Sequence, residues 1–197
     1  KYLIDKNGRI RDTHFGEGNY DETEKMIQTL LKETGATPKE IINNPTYQVY
    51  GRTPETYLGY ERLAGITASQ KITKSKLSQY MPPATLTQNT FALGGTWTID
   101  PEFAMPQKGA SLTYNFNAKE VFLVMKPTKE GLISTVRVSL DGVVVNTTNA
   151  GEDVKDGIII IDADRLYRLI NVPTAGVHLL KIEFLDDNAS VYAFTFG

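Results

Sequence analysis

The sequence predicts a mostly β fold: a jelly-roll-like antiparallel β-sandwich over residues 90–197, preceded by a β-hairpin and one α-helix. Three observations carry this reading. Short runs of alternating apolar residues recur through the second half of the chain. Turn signals built on Gly, Asn or Asp separate them. No segment there keeps helical periodicity for long, and no repeat recurs at a fixed period.

The hairpin comes first. Tyr2-Leu3-Ile4 and Ile10 to Phe15 flank Asp5-Lys6-Asn7-Gly8. Asn-Gly between extended runs favours a tight turn in which both central residues tolerate positive φ. Gly16-Glu17-Gly18 follows as a loop, and then a helix. Asp21 suits the N-cap, with Glu24 three residues on as in a capping box. Met26, Ile27, Leu30 and Leu31 form one apolar stripe, and Gly35 stops the helix.

Residues 36–89 are rich in Thr, Ser, Pro, Asn and Lys and read as a linker. Thr53-Pro54-Glu55 predicts a short helix, with Thr as N-cap and Pro at the first turn. Tyr57 and Tyr60 would then share a helix face. Lys71, Lys74 and Lys76 with Pro82-Pro83 read as a solvated connector.

The strands of the sandwich follow from period 2. Leu112, Tyr114 and Phe116 alternate with polar residues, whereas Val121 to Met125 is a continuous apolar run, as in a strand covered on both faces. Val136, Val138 and Leu140 alternate up to the Asp141-Gly142 turn into Val143-Val144-Val145. Gly157 precedes four isoleucines. Leu180, Ile182 and Phe184 make one alternating face; Tyr192, Phe194 and Phe196 make another.

Composition excludes several functions. The 197 residues are 41% hydrophobic and 22% charged, as in an ordinary globular chain. A net charge of −2 gives no basic field for nucleic acid, so no nucleic-acid partner is expected. No apolar run approaches the ~20 residues that span a bilayer. There is no cysteine, so this chain has no disulfide, no thiolate nucleophile and no thiolate metal site. Strand already begins at Tyr2, behind Lys1 rather than Met, and the chain is expected to start inside a longer protein.

Few residues suggest chemistry. His14 and His178 are the only histidines, too far apart in sequence to make a zinc pair. Trp97, the one tryptophan, is a candidate platform for a sugar ring or else a core residue. Arg165 beside Tyr167 would bind ligand hydroxyls, or would pair with Asp162 or Asp164. Tyr114, Tyr167 and Tyr192 alternate with polar residues, which also fits the core. Asp162 with Asp164, and Asp186 with Asp187, bring oxygen ligands together; calcium takes ~6–8 of them. The competing reading is turn chemistry, in which Asp bonds its own backbone. No cofactor is otherwise expected.

The stretch from Tyr2 to Ile10, then His14-Phe15-Gly16-Glu17-Gly18 and the helix from Asp21, resembles the end of a thioredoxin-fold domain. It is most similar to the DipZ type, extracytoplasmic thioredoxin-like proteins associated with cytochrome c biogenesis. Thr53 to Tyr60 resembles that family's interdomain connector. Arg165-Leu166-Tyr167 and Tyr192 to Gly197 resemble the end of its carbohydrate-binding-module-like sandwich. The resemblance implies residues 1–35 as a thioredoxin-fold remnant, 36–89 as linker and 90–197 as the sandwich. It implies a membrane-anchored parent in the periplasm or cell envelope that carries out thiol–disulfide exchange. This segment would be non-catalytic, because the family's Cys-X-X-Cys pair and cis-proline have no counterpart here, and its sandwich would serve binding or docking. A carbohydrate-binding module proper and a purely structural domain are the alternatives. The implied partners are the rest of the thioredoxin-like domain, or another protomer, covering the exposed hairpin and helix; carbohydrate is a further one.

Overall fold

The computed structural model describes residues 1–15, 19–37 and 52–197. Gly16-Glu17-Gly18 and residues 38–51 of the expected linker lie outside them. Two compact units are present, Lys1–Tyr50 and Gly51–Gly197.

In the first unit β1 (Tyr2–Ile4) pairs antiparallel with β2 (Ile10–Thr13), Tyr2 opposite Thr13 and Ile4 opposite Ile10. The turn lies where Asn-Gly placed it, with a different geometry. Gly8 alone has positive φ, at 78°. Asp5 organises the rest: its Oδ1 accepts from the N–H groups of Asn7 (2.9 Å) and Arg9 (3.0 Å), and its carbonyl accepts from Gly8. A side-chain acceptor thus does the work expected of a left-handed Asn7.

Helix α1 runs Tyr20–Glu33. It starts one residue before the expected N-cap. Asn19 occupies the cap position at φ 50° without a side-chain capping bond, and Asp21 and Glu22 sit in the first turn, facing the positive helix end. Glu24 accepts instead from Gln28 Nε2 at 2.7 Å. The C-terminus ends on Gly35 as expected: Gly35 N–H donates to Lys32 O and Ala36 N–H to Leu31 O, a Schellman arrangement. Arg11 forks onto both Glu33 oxygens at 2.8 and 3.0 Å, tying hairpin to helix. The unit has little core. No residue of α1 is buried, and Tyr2, Ile4, Ile10 and Phe15 are 58%, 58%, 59% and 63% exposed.

The second unit is built on two long strands, β7 (Ser111–Pro127) and β11 (Arg165–Phe184), which pair antiparallel. Their register breaks between Asn171 and Gly176, dividing the pairing into two blocks. Beside the first half of β7 lies β5 (Thr90–Ile99); beside its second half lies β12 (Ala189–Phe196). β8 (Ser134–Leu140) flanks the later part of β11, and β9 (Val143–Val144) and β10 (Ile158–Ile161) line the far side of β8. β6 (Ala104–Pro106) bridges β5 and β12, and β4 (Ser78–Tyr80) closes the other edge on β5. This is a mostly β, sandwich-like fold around one core, with the strand positions the alternation predicts.

The Asp141-Gly142 turn has the expected form, with both residues at positive φ, 52° and 82°. The core centres on Trp97, Tyr114, Phe116, Tyr167, Phe184 and Phe194, all fully buried. Trp97 meets Phe184 edge-on at 5.3 Å, and Tyr114 meets Phe194 and Phe196 the same way at 5.3 and 5.2 Å.

The expected short helix at Thr53-Pro54-Glu55 is instead a strand, β3 (Thr56–Tyr57), paired with β12 at Phe194 and Ala193. Thr53 does not cap a helix. It is buried, its hydroxyl donating to Asn89 Oδ1 at 2.7 Å and accepting from Asn117 N–H at 2.7 Å. Partners on distant strands satisfy this backbone, so tertiary hydrogen bonds override a local helix-start signal. Within the second unit, residues 52–89 of the expected linker pack as sheet edge and loop on the sandwich, with Leu58 and Tyr80 in its core.

Candidate binding face

The expected ligand-binding trio does not assemble. Trp97 is fully buried and its Nε1 donates to Gly94 O at 2.9 Å, so it offers no ring face to a sugar. Tyr167 is also fully buried. Its hydroxyl accepts from Asp162 and Ala163 N–H at 3.1 and 3.0 Å and donates to Ala163 O at 2.8 Å, pinning the turn that leads from β10 into β11. Burial pushes its phenol up, against the lowering effect of those N–H donors. Arg165 stacks on the Tyr167 ring at 3.8 Å and donates to Asp153 Oδ1 at 2.9 Å, with Asp162 Oδ1 at 3.8 Å. Asp153 Oδ2 also accepts from Arg168 N–H at 2.7 Å. Of the two readings of Arg165, the structure shows the ion pair, chiefly to Asp153, fastening the loop before β10 to the start of β11.

The aspartates are held by protein donors where the structure shows their bonds. Both oxygens of Asp186 are engaged by protein donors: Ser134 Oγ (2.6 Å) and Asn188 N–H (3.0 Å) on one, Thr135 N–H (2.7 Å) on the other. No group of three or more His, Cys, Asp or Glu side chains suited to a metal occurs among the described residues, Asp162, Asp164, Asp186 and Asp187 included. The Asn188 N–H bond to Asp186 is the turn chemistry that competed with the metal reading, whereas the Asp162 carboxylate accepts from the Tyr167 hydroxyl at 3.2 Å. His178 Nδ1 lies 2.7 Å from Asp141 Oδ2, joining β11 to the β8–β9 turn, while His14 Nε2 is buried with no hydrogen-bond partner among the described residues.

What the structure does assemble is the outer face of β7, β11 and β12. Val121 to Met125 is not covered on both sides. It alternates, with Val121, Leu123 and Met125 buried and Phe122 and Val124 half-buried on the outside. Directly opposed residues share a face, so Arg168, Phe122 and Thr195 form one row and Leu166 and Val124 the next. Tyr192, expected in the core, is half-buried. The register of β12 slips between Val191 and Phe194, and that bulge turns Tyr192 out of the alternation. Phe103 packs on it at 5.4 Å.

Cations cover these rings. Lys126 Nζ stands 5.4 Å above Tyr192, Arg168 5.9 Å above Phe122 and, on β3, Arg62 3.8 Å above Tyr57. A hydrogen bond with the Tyr192 hydroxyl holds the Lys126 ammonium above its ordinary range. Burial, then a hydrogen bond to Glu55, raises the Tyr57 phenol. Leu166 remains 41% exposed among these groups. The result is a face of aromatic and aliphatic surface dressed with long basic side chains. It suits contact with another surface. The sequence signal for it was the pair of apolar residues, Phe122 and Val124, at positions where an alternating strand would be polar.

Residues 53–197 match the thioredoxin-like C-terminal domain family. The chain belongs to this family. Among curated proteins it is similar to the DipZ proteins of Mycobacterium bovis and Mycobacterium tuberculosis, 32% identical to each over 143 residues. Those residues are 70% of this chain and 20% of each relative, so the chain spans about a fifth of the length of the relatives it matches. Among solved structures, a family two carbohydrate esterase from Clostridium thermocellum in complex with cellohexaose aligns with TM-score 0.39 and 16% identity, covering 50% of this chain and 28% of that one. CsCBM6-3 from Clostridium stercorarium in complex with cellobiose aligns with TM-score 0.29 and 20% identity, over 53% and 75%. No helix among the described residues is long and apolar enough to cross a membrane.

Proposed function

We propose that this chain is the non-catalytic C-terminal part of an extracytoplasmic, membrane-anchored thiol–disulfide oxidoreductase of the DipZ type, and that its β unit docks a protein partner through the outer face of β7, β11 and β12. The observation that carries the reading is the identity to DipZ proteins in a chain that has no sulfur nucleophile. Electrons would then move in another part of the parent, and this part would contribute surface. The face around Phe122, Leu166 and Tyr192 offers half-buried aromatic rings with Arg168 over Phe122, and aromatics and Arg are enriched where proteins meet. The hairpin and helix of the first unit, with Tyr2, Ile4, Ile10, Phe15 and Leu31 exposed, complete their core on the rest of the thioredoxin-like domain or on a second protomer.

The test compares the parent protein with and without residues 52–197. Turnover of a small-molecule disulfide should be unchanged, while turnover of folded protein disulfides should fall through a raised KM. Equal loss on both substrates, or no loss on either, contradicts a docking role.

A further inference from the structure

From Arg62 to Ile99 the sequence has four basic residues, Arg62, Lys71, Lys74 and Lys76, and no acidic one, although the whole chain carries −2. The fold brings most of this stretch to the edge of the second unit. β4 is the terminal strand there, paired among the described residues with β5 alone. Tyr80 points inward and is buried, so alternation turns Gln79 outward, and Leu77 and Met81 flank the two ends of this short strand. Leu77 is 61% exposed and Met81 85% exposed. Lys71, Lys74 and Lys76 are all exposed just before them, and among the described residues none has a carboxylate within ion-pair distance. Lys74 is held by the Tyr60 ring at 4.7 Å, and Pro82-Pro83 stiffens the exit of the strand.

Lysines and prolines alone would read as protection of a sheet edge. Two aliphatic tips standing in solvent among them would not, because they add the apolar surface that such protection removes. We propose that this edge rests on an anionic lipid surface, with Leu77 and Met81 entering the headgroup–acyl boundary and Lys71, Lys74 and Lys76 facing lipid phosphates. Charge complementarity selects the partner. The lysines of the patch have no ion-paired carboxylate among the described residues, and its apolar elements are flexible side chains rather than the stacking aromatics that single-stranded nucleic acid uses.

The test is flotation of the 197-residue chain with phosphatidylcholine vesicles, pure or one-third phosphatidylglycerol. Binding should require the anionic lipid and fall about tenfold when salt is raised from low to several-fold physiological strength. The Leu77→Ser/Met81→Ser variant and the Lys71→Gln/Lys74→Gln/Lys76→Gln variant should each lose most of it. Emission from the buried Trp97 must stay as in the parent chain, showing the fold intact. Equal binding to neutral vesicles, no binding, or full binding by the Leu77/Met81 variant overturns the proposal. So does binding to a soluble polyanion that needs the lysines and equals binding to the vesicles, which would mark a general anion patch.

Discussion

The hydroxyls of Thr56 and Tyr114, 58 positions apart in sequence, share a buried hydrogen bond between β3 and β7. Burial pushes the Tyr114 phenol up from 10.0 to about 12, the Thr56 bond acting weakly the other way. The folded state therefore holds this proton where the unfolded chain has lost it. The contribution is complete below about pH 10 and is lost as pH climbs from there to about 12, on the order of 2–3 kcal/mol in all. Tyr114→Phe should cost about 1 kcal/mol at neutral pH and remove this alkaline limb. Urea midpoints of both proteins across that window check it.

At Trp97 the expected readout is silence toward sugars. With the indole fully buried and its N–H on Gly94, emission should be poorly quenched by iodide and unmoved by a panel of oligosaccharides. Trp97→Ala should cost about 3–5 kcal/mol by emptying the site against Phe184. A saturable shift in emission with any sugar would contradict this placement.

Gly59 tests whether the former linker is integral to the fold. A Cβ there would stand 2.2 Å from the Glu102 carbonyl carbon, a backbone atom. Gly59→Ala should lower the thermal midpoint of the second unit by several degrees or more, whereas Gly109→Ala, with open space around it, should show only the smaller strain of its positive φ. Equal effects would mean that the 52–63 segment is not packed as described.

Asp141 should give a small acid limb. Burial raises its carboxyl, but the Leu179 N–H and His178 outweigh that and hold it below its ordinary value of 3.8. A lowered carboxyl stabilises above its unfolded value, and the stability is lost as pH falls through the folded one. The group is half exposed, so less than about 1 kcal/mol is at stake. Asp141→Asn keeps a residue that tolerates positive φ and should flatten stability between about pH 5 and pH 3. Chemical denaturation at those two pH values checks the sign.

Strand positions were legible because period 2 is imposed by the backbone itself: Leu112, Tyr114 and Phe116 announce an inner face wherever they lie. The Asp141-Gly142 turn was legible for the same local reason. What sequence could not give was anything settled by distant partners. Thr53 carries a sound helix-start signal, yet Asn117 and Asn89 claim its backbone and hydroxyl. Tyr192 obeys the alternation until a bulge displaces it. Trp97 and Arg165 were reasonable site candidates by residue type, but type says nothing of exposure, and the core and Asp153 took them. The outer face was hinted at only by Phe122 and Val124, whose apolar character looked like double burial.

The docking role rests most directly on that outer face. In the parent protein, Phe122→Ala with Leu166→Ala and Tyr192→Ala leaves the inner core untouched, since all three point away from it. Steady-state kinetics on a protein disulfide and a small disulfide, measured side by side, is the decisive experiment. A loss of about tenfold or more in kcat/KM is expected for the protein substrate, carried by KM, with the small disulfide unaffected. Unchanged kinetics on both substrates in a folded variant would contradict it.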